Sequence, residues 1–355
     1  MKDKILIAGG YGNVGQVICS YLAEKFPGKI IAAGRNYEKA DNFSKTTGGA
    51  VLPMKLDVAE NHENSSLLDE VLLVVMCLDQ KDTRFIEACI RRGIHYIDIT
   101  ASYKLLSDIE AMAGLAEQNG STAVLSVGIA PGITNILVKH CKQRLGILEE
   151  AYINLLLGLG DEHGKAAIEW TVDNINTTFD VVENGNLQKV RSFEDGKESF
   201  FSEKLGKRMA YRFDFTDQHV LPRTLNIKTV STRLCFDSVI FTRFFAILKK
   251  LGVLNLLKLK NFRRLFVKVF ENFRLGSDIF AVAVDAIGEK EGKRAEYHCS
   301  IIGHKEGIIT GKVAGLVAEK IYNGAYASGV FHIEQLFEPE EILKELEENI
   351  EIRCS

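Results

Sequence analysis

Gly10, Gly12 and Gly15 stand at the spacing G-x-G-x-x-G, inside the stretch Ile5-Leu-Ile-Ala-Gly-Gly-Tyr-Gly-Asn-Val-Gly15. The chemistry open to that spacing is the grip of a pyrophosphate by backbone N–H groups at a helix N-terminus. Gly10 is expected to allow the tight turn, Gly12 the close approach of phosphate to backbone, and Gly15 the packing of helix on strand. Tyr11, Asn13 and Val14 fill the intervening positions and would line the same cradle. A second group of residues bears on which dinucleotide is held. The next apolar run ends in Gly34-Arg35-Asn36, with Lys39 one helical turn further on. An NAD-specific site usually carries Asp or Glu there, to accept from the ribose 2′-OH. A carboxylate would repel a 2′-phosphate, whereas a guanidinium pairs with it bidentately. Arg35 therefore directs the site to NADP, with NAD as the alternative.

These residues need a strand before them and a helix behind them, and the chain supplies both. Ile5 to Ala8 is a short apolar run, and Val14, Val17, Ile18, Tyr21 and Leu22 recur at helical spacing. Strands are expected at 29–35, 51–56, 68–77, 95–100 and 122–127, and helices at 82–92 and 105–118. This alternation is the pattern of a doubly wound parallel sheet, a Rossmann domain. In that fold Asp57 and Val58, ending the third strand, would sit beside the adenine. Cys77 and Leu78 end the fourth strand and would line the cofactor's path by packing; nothing near Cys77 in sequence would make its thiol a nucleophile. Pro131-Gly132 directly follows the sixth strand and reads as a helix start, because proline is favoured at the first helical position.

The character changes near residue 148, from alternation to strands with hairpin signals. Asn184-Gly185 between two alternating stretches is one, and the charged turn at 289–293 is another. Strands are expected at 209–215, 226–236, 277–287 and 294–303, then a helix at 307–322 and a Glu-rich tail helix. The fold class is α/β: a Rossmann domain at 1–130, then an α+β domain at 131–330 with a mostly antiparallel sheet and a basic helical insert at 238–274. A C-terminal helix at 331–355 would pack back on the first domain. Residues 238–270 hold eight basic residues and no acidic one, interleaved with large apolar residues. Such a basic amphipathic pair can rest on an anionic membrane. The favoured reading is that its apolar stripe packs on its own domain or on a partner copy.

The 355 residues and a formal net charge of −3 describe an ordinary globular chain with no electrostatic case for nucleic acid. The seven cysteines are scattered without a C-x-x-C pair, and the eight histidines show no ligand spacing. Neither a disulfide framework nor a metal site is expected, and the reading is of a cytoplasmic protein. No apolar run is long enough to span a membrane, and the N-terminal run leads straight into the glycine turn rather than to a signal-peptide site.

With these motifs in order, the chain resembles the saccharopine dehydrogenase family, and more closely its lysine-dehydrogenase-like members. The likeness is carried by Gly10 to Gly15, Tyr96-Ile-Asp-Ile-Thr-Ala-Ser-Tyr103, Ala130-Pro-Gly-Ile-Thr-Asn-Ile-Leu137 and Ser328-Gly-Val-Phe-His-Ile-Glu334. The resemblance implies an N-terminal nicotinamide-nucleotide domain, a second domain that binds a small-molecule substrate and often forms a homodimer, and oxidation or reduction of a carbon–nitrogen bond in an amino acid. It also implies a substrate site at Ser102, Tyr103, Ala130, Pro131 and Gly132. Saccharopine-type members carry Asp directly before Pro-Gly, to hold the substrate's α-amino group; Ala130 cannot form that ion pair. This argues against saccharopine more than against amino acids in general. Other relatives reduce carbon–carbon double bonds of lipids.

Hydride transfer takes its reactive bond from the cofactor, so a conspicuous nucleophile is not needed. Candidate acid–base groups are Tyr103 and the glycine-bounded loop Asp161-Glu162-His163, where His163 could shuttle a proton and Asp161 could hold an ammonium. Two competing classes stay open. Gly9, Gly12 and Gly15 also spell G-x-x-G-x-x-G of short-chain reductases, but the only Tyr-x-x-x-Lys spacing, Tyr21 to Lys25, lies inside the first helix. A reductase of a lipid-like enoyl or carbonyl substrate, or a non-catalytic NADP-binding protein, is the alternative.

Overall fold

The computed structural model describes residues 2–60, 62, 66–162, 164–272 and 276–355. In chain order it opens with β1 (Lys4–Ala8), α1 (Asn13–Lys25), β2 (Ile30–Gly34), α2 (Tyr37–Thr46), β3 (Val51–Lys55) and β4 (Val71–Met76). There follow α3 (Arg84–Arg91), β5 (His95–Asp98), α4 (Tyr103–Glu110), α5 (Ala113–Gln118) and β6 (Thr122–Leu125). The expected helix at 105–118 is thus two helices. The expected strand at 68–77 is shorter, with a 3-10 turn at Ser66–Leu68 before it.

The second stretch begins with α6 (Thr134–Leu145), β7 (Ile147–Leu157), α7 (Lys165–Asn174), β8 (Thr178–Glu183), β9 (Asn186–Arg191), β10 (Lys197–Ser202) and β11 (Gly206–Arg212). It continues with α8 (Asp217–Thr224), β12 (Thr229–Phe236), α9 (Val239–Lys250), α10 (Lys260–Asn272), β13 (Ile279–Lys290) and β14 (Lys293–His304). The chain ends with α11 (Glu306–Asn323), β15 (Gly329–His332), α12 (Ile333–Leu336), α13 (Pro339–Leu343) and β16 (Ile350–Cys354).

Two compact units result. The first comprises 1–133 and 307–338; the second, 134–306 and 339–355. The first cut falls close to the expected one at 130. Residues 307–338, however, return to the first unit, and the tail is not one helix: the short α12 and α13 lie between β15, a strand of the first sheet, and β16, a strand of the second.

The first sheet runs β15-β6-β5-β4-β1-β2-β3, and all of its strand pairs are parallel. Its order reverses between β1 and β4, the switch point where a crevice opens at the carboxyl ends of the strands. Ile5, Leu6, Ile7 and Ala8 of β1, and Leu73, Val74, Val75 and Met76 of β4, are fully buried, as strands covered on both faces must be. On α1 packs α11, which meets it at two glycines: a Cβ on Gly311 would stand 2.7 Å from the Val17 Cβ, and one on Gly315 2.7 Å from the Tyr21 ring. Glu319 on α11 accepts from the Tyr21 hydroxyl at 2.7 Å and pairs with Lys25 at 2.8 Å.

The second unit has a sheet ordered β10-β11-β12-β7-β13-β14-β16, antiparallel except for the β12–β7 pair. The expected hairpin is present as β8–β9, with Asn184 and Gly185 both at positive φ (49° and 75°) as a type I′ turn requires. One expectation fails on the cysteines: Cys299 and Cys354 form a disulfide. They lie 55 residues apart but face each other across β14 and β16, and spacing along the chain carries no trace of that register. His140 of α6 stands with them; one ligand atom from each of the three lies within 4.8 Å of the others, with both sulfurs engaged in the disulfide.

Because Gly311 leaves no room against Val17, Gly311→Val should destabilise the chain by about 1–3 kcal/mol through overpacking. A urea titration of the variant reads this directly, and an unchanged midpoint would mean that α11 does not pack on α1 as described.

Candidate functional site

The sequence-predicted cofactor residues of the first unit come together at the carboxyl ends of β1, β2, β3 and β4. The division of labour among the glycines differs from the expected one. Gly9, not Gly10, takes the left-handed conformation (φ 85°) that makes the tight turn. Gly10 provides close approach to β2 instead: a Cβ there would stand 2.7 Å from the Ala32 Cα. Gly15 packs as expected, since any side chain on it would overlap the Gly9 carbonyl oxygen. A Cβ on Gly12 would meet only the Gly9 oxygen, at 3.2 Å, so its outer side is open.

Gly12 is also the N-cap residue of α1, where no side chain caps the helix and no acidic group occupies the first turn. The helix start thus offers backbone donors and the positive end of the helix dipole, beside a residue that leaves space for an oxyanion. This is a fit to a pyrophosphate. The Tyr11 ring lies against Gly34, and its hydroxyl accepts from the Asn36 N–H at 3.1 Å. That contact ties the glycine turn to the end of β2. Tyr11, Gln16, Lys39, Asn42, Phe43 and Thr46 line a solvent-open depression of about 370 Å³ beside it.

Arg35 is exposed and makes no hydrogen bond or ion pair among the described residues, so its guanidinium is available to a phosphate. Asn36 serves the fold: its side chain caps α2 by accepting from the Lys39 N–H at 3.0 Å. Lys39 itself is exposed in the first turn of that helix. Asp57 accepts from the Ala59 N–H at 3.1 Å and forms a local turn, and Val58 packs on the core. Cys77 prolongs β4 through its N–H to the Ala8 oxygen at 2.9 Å. Burial, and to a lesser degree the Asp98 carboxylate, pushes its thiol well up, which keeps it protonated. Leu78 packs against Gly9.

The sequence reading missed Asp98, which sits fully buried at the end of β5. Its Oδ2 accepts from the Tyr96 hydroxyl at 2.8 Å and from Gln80 Nε2 at 3.2 Å, and its Oδ1 accepts from the Thr100 N–H at 2.8 Å. Desolvation outweighs these bonds and raises its pKa to about 6. Gln80 Oε1 is buried and has no partner among the described residues, an acceptor left free beside the same carboxylate. The signal was an acid two residues after a tyrosine in an otherwise apolar strand, a spacing that puts both on one face. Ser102 and Tyr103 follow as the N-cap and first residue of α4, both partly exposed.

A second buried chain pins the end of β6. Ser126, at φ 58°, shares a 2.7 Å hydrogen bond between its Oγ and His332 Nδ1, and His332 Nε2 bonds Glu110. The turn that follows is not the expected helix start. Ala130 and Pro131 are extended and joined by a cis peptide bond, Gly132 has φ 141°, and the helix begins at Thr134. Gly132 lies against the Ser126 carbonyl, where a Cβ would stand at 3.2 Å, and its φ is closed to helix.

In the second unit, Asp161 is engaged by backbone: its Oδ1 accepts from the Glu162 N–H and its Oδ2 from the Glu306 N–H, both at 2.7 Å. Each oxygen thus accepts one backbone bond, and the carboxylate keeps further lone pairs. His163 lies outside the described residues.

Comparison with known proteins agrees with the cradle. Residues 5–124 match the saccharopine dehydrogenase NADP binding domain. Carboxyaminopropylagmatine dehydrogenase of Synechocystis sp. is 28% identical over 206 residues, which cover 55% of this chain and 49% of that relative's length. The apo saccharopine dehydrogenase (L-Glu forming) of Saccharomyces cerevisiae superposes with a TM-score of 0.74 at 13% identity, over 99% of this chain and 100% of that one. At that identity the likeness is one of fold.

Two outcomes follow. Gly12→Val should leave folding nearly unchanged but weaken NADPH binding by about tenfold or more, whereas Gly15→Ala should lower stability as well. Calorimetric titration and thermal melts on both variants distinguish the roles, and a Gly12→Val protein with native affinity would remove the pyrophosphate from this loop. For Asp98, the folded pKa lies above the unfolded one, so its ionisation opposes folding. The group costs nothing below about pH 4, and its full cost, about 3 kcal/mol, is reached above about pH 6. Asp98→Asn should therefore lose that part of the stability change between pH 4.5 and 7 which wild type shows in urea titrations; identical pH profiles would disprove the shift.

Proposed function

We propose that this chain, whose residues 5–124 match the saccharopine dehydrogenase NADP binding domain, is an NADP-dependent oxidoreductase acting on a carbon–nitrogen bond of an amino-acid-like substrate. The observation that carries the reading is the pairing of an open Gly12 cradle with an unengaged Arg35 at the end of β2. The choice of bond is supported by the similarity to a carboxyaminopropylagmatine dehydrogenase and to the saccharopine dehydrogenase NADP binding domain.

When bound, the nicotinamide supplies the hydride or receives it. The chain's own residues do the rest. The start of α1 fixes the pyrophosphate, and Arg35 selects the 2′-phosphate. Asp98, with a pKa raised to about 6 by burial and a hydrogen bond from Tyr96, holds a proton acceptor at the end of β5, close in sequence to Ser102 and Tyr103. The hydroxyls of Ser102 and Tyr103 are the first unit's candidates for meeting a substrate carboxylate. Ala130 offers no charge for an α-amino group, which favours a substrate whose amine is held elsewhere.

Arg35→Asp should weaken NADPH binding by about ten- to a hundredfold and narrow its advantage over NADH, as loss of a charge-assisted pair predicts. An unchanged preference would refute the role of Arg35. Turnover is read from NADPH absorbance with amino acids, with amine and 2-oxoacid pairs that form imines, and with enoyl thioesters. Activity on the first two supports the proposal. Activity on the thioesters alone would replace it with a lipid-type reductase, and tight cofactor binding with no turnover at all would replace it with an NADP-binding protein.

A further inference from the structure

The basic segment of the second unit is apolar on two faces, and its own unit covers only one. On α9, Phe245 is buried, and its ring meets those of Phe241 at 4.7 Å, Phe270 at 5.7 Å and Phe266 at 5.8 Å. Thr242 beside it is buried and accepts from the Phe236 N–H at 2.9 Å. This is the packing the sequence favoured. The other face of the same helix carries Ile240, Phe244, Ile247 and Leu251, which are 83%, 51%, 55% and 70% exposed. Their spacing of four, three and four makes one continuous stripe. On α10, Leu265 and Val269 repeat the pattern at 59% and 52% exposure. Large apolar side chains standing in water in such a row mark an interaction surface.

Charge identifies what the surface fits. Residues 238–270 contain eight basic and no acidic residues, of the chain's 44 basic and 47 acidic, so the remainder of the chain is distinctly acidic. Of the eight, Lys249 donates to Asn176 at 2.7 Å, Arg263 pairs with Asp173 at 2.5 Å, and Lys268 is also engaged. Arg243, Lys250, Lys258, Lys260 and Arg264 are exposed on the same segment. A second copy docked here through a two-fold axis would set this basic segment against itself. A surface rich in lipid phosphates would pair with it, and would accept the apolar side chains between the headgroups.

We propose that α9 and α10 dock this chain on an anionic lipid surface. Ile240, Phe244, Ile247 and Leu251 enter the boundary between headgroups and acyl chains, and the five exposed basic side chains meet lipid phosphates. The bound state is peripheral, since no described helix is long and apolar enough to cross a membrane. Such docking would place the enzyme, or the binding protein if that reading of its function prevails, at a membrane without requiring either.

The test is sedimentation of the full chain with vesicles of phosphatidylcholine alone or mixed with phosphatidylglycerol, at low and high salt. The chain should pellet with the anionic vesicles only and be released by salt. Ile240→Ser with Leu251→Ser, and separately Arg243→Glu with Lys250→Glu, should each weaken partition by about tenfold or more. Circular dichroism and NADPH affinity should hold in both. Failure to pellet with anionic vesicles at low salt would overturn the proposal, as would equal binding to neutral vesicles. So would a dimer in sedimentation velocity that the Ile240→Ser, Leu251→Ser protein loses, which would assign the face to a second copy.

Discussion

At the start of α1, backbone has to pass against backbone, and the first unit depends on what is absent there. Any side chain on Gly15 would overlap the Gly9 oxygen, and one on Gly10 would press on the Ala32 Cα. Because these positions carry no Cβ, α1 begins close above β1, and β1 lies close to β2. The donors at the helix start then face the crevice where the strand order reverses. The same economy of side chains recurs on the far side of α1, where Gly311 and Gly315 let α11 approach Val17 and Tyr21. The helix that presents its N-terminus to the crevice is therefore held from both sides by close contact.

Much of this was legible in sequence because it is local. The glycine loop, the strand–helix alternation to residue 127, Arg35 at the end of β2 and the Asn184-Gly185 hairpin all follow from neighbours in the chain. What was not legible is long-range pairing. The Cys299–Cys354 disulfide, the addition of β15 to β6, and the placement of β16 beside β14 each join residues distant in sequence. The tail from 331 looked helical because Ile342, Leu343 and Leu346 share a helical spacing; they do lie in short helical turns, but the flanking strands are set by partners elsewhere. The exchange of roles between Gly9 and Gly10 is a different kind of miss. Both glycines fit the motif, and only backbone angles show which needs its freedom.

The candidate site is legible in the same uneven way. Positions that hold a phosphate are marked by residue type, whereas groups that hold protons are marked by burial. Asp98 drew no attention as one acid in a strand, yet full burial with one tyrosine, one glutamine and one backbone amide around it makes it the most perturbed carboxylate of the first unit among those described. Ser126 directly after β6, His332 of β15 and Glu110 of α4 have no shared motif. Asp161 shows a different limit: its glycine-bounded loop is visible in sequence, but the two backbone amides that its carboxylate receives are not.

The return of residues 329–332 to the first sheet bears on how the protein is made. Until β15 arrives, β6 is an open edge of a parallel sheet, with its hydrogen-bonding groups unpaired and Leu125 and Val124 at the border. Roughly two hundred residues separate the two strands, so at typical elongation rates the edge waits on the order of ten to forty seconds on the ribosome. All of the second unit except its closing segment with β16 can fold within that interval, since its first 173 residues (134–306) are all synthesised before β15. Both units are thus completed only by the closing stretch of the chain, the first by β15 and the second by β16, and the border of the first sheet stays unpaired until then.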